Sequence, residues 1–372
     1  MEVPFQRGVT FGFYARRGVY SSPWAKEQIR KMKQLNVEYV ALIATVFREA
    51  CGSTREFLDL AESPGELELA RMIDFIHAEG LKVMLRPMLE THDGNGRLQV
   101  WFPDDRERIP GKISDCWERW FASFRARTRL FATLARETGC ELYGLDSELD
   151  RTVGQNSQWK EVIAVARECF PGPITSCHTH LLNFEQEFSR PDHWFYDLDF
   201  LQTSFYHRAA DAPGSSVEEM ETKLLPVRDL YRRMAKLYGK PIMFGECGCT
   251  SSTGGAPAPS GWSGDGRYSP MEQANYLQAV WNLFHAEEYF RGLYWWKWDE
   301  QNPRTQFCDD PAGDKGVHSG WQTRRRSDET MLPAARQHRP PPGVKLLLRQ
   351  SLFQSPAEMA AMFSKVMFFE AL

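Results

Sequence analysis

Apolar and polar residues along this chain form two alternating patterns. Short runs rich in Val, Ile, Leu and aromatic residues are followed by segments whose apolar positions recur every three or four residues. The first pattern is typical of strands buried on both faces, and the second of amphipathic helices. In the clearest case, the run 37–46 precedes the segment 66–79, which carries Leu69, Met72 and Ile76 at helical spacing. The pattern therefore predicts alternating strands and helices.

Eight strands follow from this pattern. They are predicted at 9–14, 37–46, 82–87, 141–148, 174–180, 200–206, 241–246 and 292–298. Helices are predicted between most of them: one opens at 21–23, and the others lie at 66–79, 114–137, 159–169, 217–237 and 270–288. Because no glycine-rich nucleotide-binding loop follows any strand, the repeats favour a closed barrel over an open sheet. We expect an α/β fold, a single (β/α)8 TIM barrel with long βα loops, whose strands end on one face.

The end of the chain departs from this pattern. We expect residues 1–316 to form the catalytic barrel and 317–372 an atypical C-terminal tail, in which no periodic pattern supplies the last helix of a barrel. One hypothesis is that residues 317–330 are read out of frame. With suitable codons, a one-base shift spells Phe-Thr-Ala-Gly-Gly-Lys-Pro-Ala-Ala-Glu-Val-Met-Arg, a turn followed by a helix. The alternative is a disordered or lineage-specific extension.

Composition excludes several classes of function. A net charge of −4 over 372 residues gives no electrostatic footprint for nucleic acid or an anionic membrane surface. No apolar stretch approaches the ~20 residues that span a bilayer, and the N-terminus lacks signal-peptide features, so we expect a cytoplasmic protein, or a secreted one whose leader was removed. The eight cysteines are scattered, and Cys247-Gly-Cys249 alone is a weak zinc signal. We expect no metal and no cofactor; the oligomeric state stays open.

Two carboxylates end predicted strands. Glu148 ends the fourth strand and Glu246 the seventh, where Gly245 and Gly248 would let a ligand approach closely. Each Glu could simply form an ion pair. Two carboxylates on one face can instead act as general acid and nucleophile in glycosidic-bond cleavage. A separation of about 5–5.5 Å would indicate retention of anomeric configuration, and about 6.5–9.5 Å inversion.

Three motifs carry a resemblance to a known family. They are Gly144-Leu-Asp-Ser-Glu148-Leu, Pro241-Ile-Met-Phe-Gly-Glu246, and Gly292-Leu-Tyr-Trp-Trp-Lys-Trp298 with Asp314-Lys-Gly316. From about residue 8 to residue 316 the chain resembles clan A glycoside hydrolases, and within that clan glycoside hydrolase family 113, the β-mannanases. The motifs are moderately specific for the clan and less so for the family.

The resemblance implies roles for individual residues. It implies a retaining mechanism with Glu148 as acid/base and Glu246 as nucleophile. It also implies that Tyr206 donates a hydrogen bond to Glu246, and that Trp296 or Trp298 lies under the sugar at the point of cleavage. Many clan members have Asn before the acid/base, where this chain has Ser. A hydrogen bond to the sugar 2-OH would therefore be lost or supplied by another group.

Other polar residues are candidates for binding substrate. Arg86 ends the third strand and could orient Glu246 or pair with Asp146; we favour the first, since buried Arg usually serves a carboxylate. His178 and His180 alternate along the fifth strand, so only one faces the barrel interior. His180, last in its strand, could reach a sugar hydroxyl.

Aromatic residues are more numerous than a core of this size requires, with 12 Trp, 12 Tyr and 24 Phe. Flat rings suit sugar rings as well as apolar cores. His92 and Trp101 follow the third strand and Trp262 follows the seventh, and we expect them at remoter subsites or in a lid. Tyr14, at the end of the first strand, is a further candidate for binding substrate.

These observations favour a glycoside hydrolase, endo- or exo-acting, on a β-linked, mannose-containing polysaccharide or oligosaccharide. A carbohydrate-binding pseudoenzyme with an aromatic cleft is one alternative, although the intact Glu pair argues against it. A metal-dependent hydrolase using His92, Asp93, His178 and His180 is another. It ranks last because no His-x-His motif lies at the start of the predicted barrel.

Overall fold

Eight parallel strands close into a barrel in chain order in the computed structural model, which confirms the predicted (β/α)8 fold. The structure describes residues 3–103, 115–179, 181, 186, 190–261, 267 and 269–298. The strands are β1 (Gln6–Phe11), β2 (Tyr39–Arg48), β3 (Lys82–Thr91), β4 (Leu142–Ser147), β5 (Ile174–His178), β6 (Leu201–Phe205), β7 (Ile242–Cys247) and β8 (Phe290–Trp298).

Helices follow most strands, at the positions that the apolar periodicity predicts. Those in the described ranges are α1 (Pro23–Gln34), α2 (Glu66–Ala78), α3 (Cys116–Glu137), α4 (Asn156–Cys169), α5 (Val217–Tyr238) and α6 (Pro270–Phe284). The start of α1 shows why the local sequence folds this way. The Ser22 side chain accepts a hydrogen bond from the Ala25 amide, and Pro23 occupies the first turn.

Strand ends differ from the sequence-based bounds in two places that affect the site. β3 extends to Thr91 rather than residue 87, because it pairs with β2 over the full length of both strands. Glu90 therefore belongs to a strand and not to a loop. β1 ends at Phe11, since Gly12 turns the chain with a φ of +86°, so Tyr14 lies in the loop after β1.

The barrel interior is apolar at one end and polar at the other. Its amino-terminal end is filled by a cluster of Val3, Tyr39, Ala41, Met84, Leu142, Phe200, Met243 and Tyr294. A larger apolar cluster lies between the barrel and its helices. Polar side chains are buried toward the carboxyl ends of the strands, among them Arg86, Ser147 and Glu246. The closed apolar end therefore leaves one face of the barrel for chemistry.

Two further observations concern the extent of the structure. No helix among the described residues is both long and apolar enough to cross a lipid bilayer. The tail at 317–372, with its proposed frame shift, lies outside the described residues, so the boundary at residue 316 stays a prediction.

Candidate active site

Two glutamates extend from the carboxyl end of the barrel. Glu246 belongs to β7, and its side chain is 3% exposed. Glu148 directly follows β4, and its side chain is 13% exposed. The Glu148 amide donates to the Cys177 carbonyl on β5 at 2.9 Å, and its φ of +60° is rare for a residue with a side chain. The more accessible carboxylate is thus held in a strained backbone conformation.

Hydroxyl groups bind both oxygens of the Glu246 carboxylate. Ser147 Oγ donates to Oε1 at 2.6 Å, and Tyr206 Oη donates to Oε2 at 3.0 Å. Tyr206 directly follows β6. Hydrogen bonds of this kind favour the ionised form of a carboxylate. Ser147, which stands where many clan members have Asn, thus donates its hydroxyl hydrogen bond directly to Glu246.

Arg97 connects the two glutamates, although no motif in the sequence marks it as a site residue. It begins the short helical turn Arg97–Gln99 that follows β3. Its Nη2 lies 3.0 Å from Oε2 of Glu148 and 3.8 Å from Oε1 of Glu246. The two oxygens are no further apart than the sum of these distances, so both carboxylates lie beside one nitrogen of Arg97. The loop shows no periodic pattern, and the only sequence signal was an Arg close after a strand end.

A third carboxylate holds the other side of Arg97. Glu90 Oε1 accepts a hydrogen bond from Nη1 at 2.7 Å, and the Ser147 carbonyl accepts one from Nε at 2.9 Å. The guanidinium carbon lies 5.1 Å from the centre of the Phe13 ring. Burial opposes the charge of Arg97, but Glu148 and Glu90 outweigh that effect and raise its pKa above the ordinary value. Arg97 is therefore charged and fixed.

The glutamates retain a proton near neutral pH. Burial and the like charge of Glu148 raise the pKa of Glu246 from 4.5 to about 7, against the opposing effects of Arg97, Arg86 and the Ser147 hydroxyl. Two carboxylates that share a site cannot both ionise easily. The pair therefore keeps one proton up to about pH 7, which is the protonation state that an acid and a nucleophile require together.

Arg86 lies under Glu246 inside the barrel. Its side chain is fully buried, and Nη2 donates to the Gly245 carbonyl at 3.0 Å. Asp146 pairs instead with Arg127, whose Nη2 lies 2.7 Å from Oδ2. The contacts therefore exclude a pair between Arg86 and Asp146, whereas a role of Arg86 in orienting Glu246 stays a prediction. Gly144 makes room for Arg86, since a Cβ there would lie 2.9 Å from Arg86 Cγ.

The two tryptophans at the end of β8 face opposite sides of the barrel wall. Trp296 is buried inside with Phe13, their ring centres 5.2 Å apart, and Tyr206 packs against the same cluster. Trp298 donates from its indole N–H to Gln28 Oε1 on α1 at 3.1 Å. This corrects the expectation for Trp298.

The reason is an irregular pairing between β1 and β8. Val9 pairs with Trp295, but Phe11 pairs with Trp298, so β8 contains one extra residue between these points. An extra residue in a strand shifts the following side chains to the other face. Of the two tryptophans, Trp296 is therefore the one on the inner side of the barrel wall, where it is 2% exposed. Its contact with a sugar stays a prediction.

The remaining candidates have different positions. Tyr14 is half-buried next to Phe13, with ring centres 4.3 Å apart. His92 stacks on Phe47 at 4.6 Å, so it packs against the end of β2. Trp101 is 52% exposed shortly after the turn that carries Arg97. His180 and Trp262 lie outside the described residues, and their roles stay predictions.

The described residues supply no set of metal ligands. No group of three or more His, Cys, Asp or Glu side chains among them could hold a metal ion. His92 Nε2 lies 3.5 Å from Asp59, whereas His178 Nδ1 lies 3.3 Å from Asp150. Asp93 accepts a hydrogen bond from the Cys51 amide. The contacts in this part of the chain therefore lend no support to the metal-dependent alternative.

Comparisons with known proteins match most of the chain. The model of Glycoside Hydrolase Family 113 matches residues 9–316. A solved GH113 β-1,4-mannanase is 26% identical, with a TM-score of 0.71, over 87% of this chain and 99% of that chain. AaManA, the GH113 β-mannanase from Alicyclobacillus acidocaldarius in complex with ManMIm, is 26% identical, with a TM-score of 0.69, over 87% and 98%.

A more distant likeness extends to other barrels. A β-glucuronidase from Ruminococcus gnavus is 16% identical, with a TM-score of 0.52, over 86% of this chain and 50% of that chain. At this identity the likeness shows the fold alone. No curated protein sequence matches the chain.

Proposed function

The chain belongs to glycoside hydrolase family 113, and from this we propose that it hydrolyses β-1,4-linked mannan or manno-oligosaccharides with retention of anomeric configuration. It is a glycoside hydrolase of the β-mannanase kind. The substrate is proposed because three similar solved structures are GH113 β-mannanases, and the one from Alicyclobacillus acidocaldarius is a complex with ManMIm.

The observation that carries the proposed mechanism is the pair of carboxylates beside one nitrogen of Arg97. The upper limit on the distance between these two oxygens admits the spacing of about 5–5.5 Å that retaining enzymes use, and we adopt the retaining reaction that this spacing serves. The hydroxyl bonds from Ser147 and Tyr206 favour an ionised Glu246, which we assign as the nucleophile. We assign the more exposed Glu148 as the acid, which must hold the proton shared by the pair when the glycosidic bond breaks.

The reaction proceeds in two steps that balance. A Glu246 oxygen attacks the anomeric carbon while the glycosidic bond breaks, and the proton of Glu148 passes to the departing sugar oxygen. Water then attacks the same carbon, gives its proton to Glu148, and breaks the ester bond to Glu246. Each step inverts the anomeric carbon, so the product retains the configuration of the substrate. We place the sugar that reacts next to Trp296, which lies in the same cluster as Tyr206.

The test is hydrolysis of β-mannan and manno-oligosaccharides by wild type, Glu148→Ala and Glu246→Ala. We expect both variants to lose turnover by at least ~10³-fold, since each removes a group from the chemical step. Azide should rescue at least one variant and give a mannosyl azide. Glu272→Gln is the matched control, because this buried carboxylate binds the Gly214 and Ala256 amides, two contacts outside the carboxylate pair.

Three results would contradict the proposal. The first is near-wild-type turnover in either Ala variant. The second is an equal loss in the folded Glu272→Gln control, which would trace the losses to general damage. The third is a wild type that binds β-glycans but cleaves none, which would favour the carbohydrate-binding alternative.

A further inference from the structure

We propose that Arg97 is a positioning residue that governs the proton shared by Glu148 and Glu246 and so strengthens Glu148 as the acid that protonates the departing sugar. This inference rests on the two-carboxylate mechanism proposed above. It goes further, because it gives a role in the acid step to a loop residue outside the pair of carboxylates. The contacts of one guanidinium group carry it.

The guanidinium is fixed before any substrate binds. Nε donates to the Ser147 carbonyl, Nη1 to Glu90 and Nη2 to Glu148, at 2.9, 2.7 and 3.0 Å. One face of the group lies against the Phe13 ring, and the side chain is 5% exposed. Because each nitrogen has its own acceptor, the charge cannot rotate away from the carboxylates.

Arg97 is also the cation best placed to act on the pair. Among the described residues, no other Lys, Arg or His nitrogen lies within 4 Å of Glu148 or Glu246. Arg86 reaches only the Gly245 carbonyl beside Glu246. On the other packed elements, Tyr206 donates a neutral hydrogen bond from the end of β6. The charge of Asp146 on β4 is paired with Arg127 on α3.

The chemistry makes this charge useful at one moment in particular. When the first bond breaks, Glu148 gives its proton to the departing oxygen and becomes a carboxylate. A cation 3.0 Å away stabilises that product, which makes proton transfer to a poor leaving group more favourable. An activated aryl leaving group needs no such proton. The effect of Arg97 should therefore depend on the leaving group, which a purely structural role would not produce.

Glu90 provides an opposite perturbation at the same place. It binds Nη1 of Arg97 and has no ion pair with another described Lys, Arg or His, so it offsets part of the positive charge near the pair. Removing the charge of Arg97 should make the pair hold its proton more tightly. Removing the charge of Glu90 should make the pair release it more easily. A charge within about 4–6 Å of a titrating group commonly shifts the pKa of that group by about one to three pH units.

The experiment measures kcat/KM against pH for wild type, Arg97→Gln and Glu90→Gln, with a manno-oligosaccharide and with a 2,4-dinitrophenyl β-mannoside. For Arg97→Gln we expect the alkaline fall of kcat/KM, the basic limb of the pH–rate profile, to shift to higher pH by about one pH unit or more. We expect the rate on the oligosaccharide to fall on the order of 100-fold and that on the aryl mannoside by less than about 10-fold. For Glu90→Gln the basic limb should shift to lower pH.

Shifts of the basic limb in the same direction in both variants, or no shift, would overturn the inference. So would equal losses of Arg97→Gln on the two substrates. Thermal unfolding checks that each variant is folded; if Arg97→Gln is not, Arg97→Lys and the direction of the Glu90→Gln shift decide. A wild type that cleaves neither substrate would instead overturn the proposed function, so the two failures are distinguishable.

Discussion

Glu246 combines near-complete burial with a neighbouring negative charge, and this combination has a kinetic consequence. Because these effects raise its pKa to about 7, the carboxylate pair loses its last proton near neutral pH. The acid role requires that proton. We therefore expect kcat/KM on manno-oligosaccharides to fall above about pH 7, as a pH–rate profile would measure. A fall of kcat/KM that begins only about two or more pH units above pH 7 would contradict this account.

The same residue should make the protein less stable as pH rises. The folded-state pKa of Glu246 lies above the ordinary value of 4.5, so the folded protein binds more protons than the unfolded chain between about pH 4.5 and 7. Stability therefore falls with rising pH across that window and then levels off. The rise in the pKa of Glu246 from 4.5 to about 7 corresponds to a loss of about 3 kcal/mol in the free energy of unfolding across this window.

Glu246→Gln removes the ionisable group while keeping its shape. We expect this variant to be more stable than wild type by up to about 3 kcal/mol at pH 8 and nearly equal to it at pH 4.5. Urea unfolding at the two pH values measures the difference. An equal effect at both pH values would show that ionisation of Glu246 is not its cause.

Among the elements, β8 depends on a glycine at its start. Gly292 pairs with Gln6 of β1 at a φ of +110°, and a Cβ there would lie 1.9 Å from the Gln6 carbonyl oxygen. Gly292→Ala should therefore force β1 and β8 apart and cost about 3 kcal/mol or more in the free energy of unfolding.

Gly139→Ala is the matched control for this prediction. Gly139 also has a positive φ, +72°, but a Cβ there would meet no atom within 4 Å. We expect it to cost about 1–2 kcal/mol from backbone strain alone. Equal losses for the two variants in urea unfolding would show that the contact with Gln6 has no effect.

Local pattern explains which elements and residues could be predicted from the sequence. Strand ends converge in a barrel, so Glu148 and Glu246 could be expected on one face from the order of strands alone. The side of the wall that Trp298 faces depends on the bulge in β8, which arises from pairing with β1 and leaves no periodic signal. Arg97 lies in a loop whose conformation depends on tertiary contacts with Glu90, Ser147 and Phe13.

For the whole molecule, the proposed frame shift at 317–330 makes a separate prediction. If the native frame ends in a turn and a helix, a chain that carries the shifted sequence should unfold at a higher temperature than the unshifted chain, because a last helix would cover the barrel wall. Sequencing the coding DNA tests the premise. Neighbouring frames without a helix-like ending would contradict the hypothesis.

The central claim is that Glu148 and Glu246 act together in a double displacement. The most direct measurement is proton NMR of the anomeric signals during the first minutes of manno-oligosaccharide hydrolysis, before the free sugar mutarotates. The account predicts that the β-anomer of the new reducing end forms first, because two inversions restore the starting configuration. First appearance of the α-anomer would contradict it, since a single displacement by water would then be the reaction.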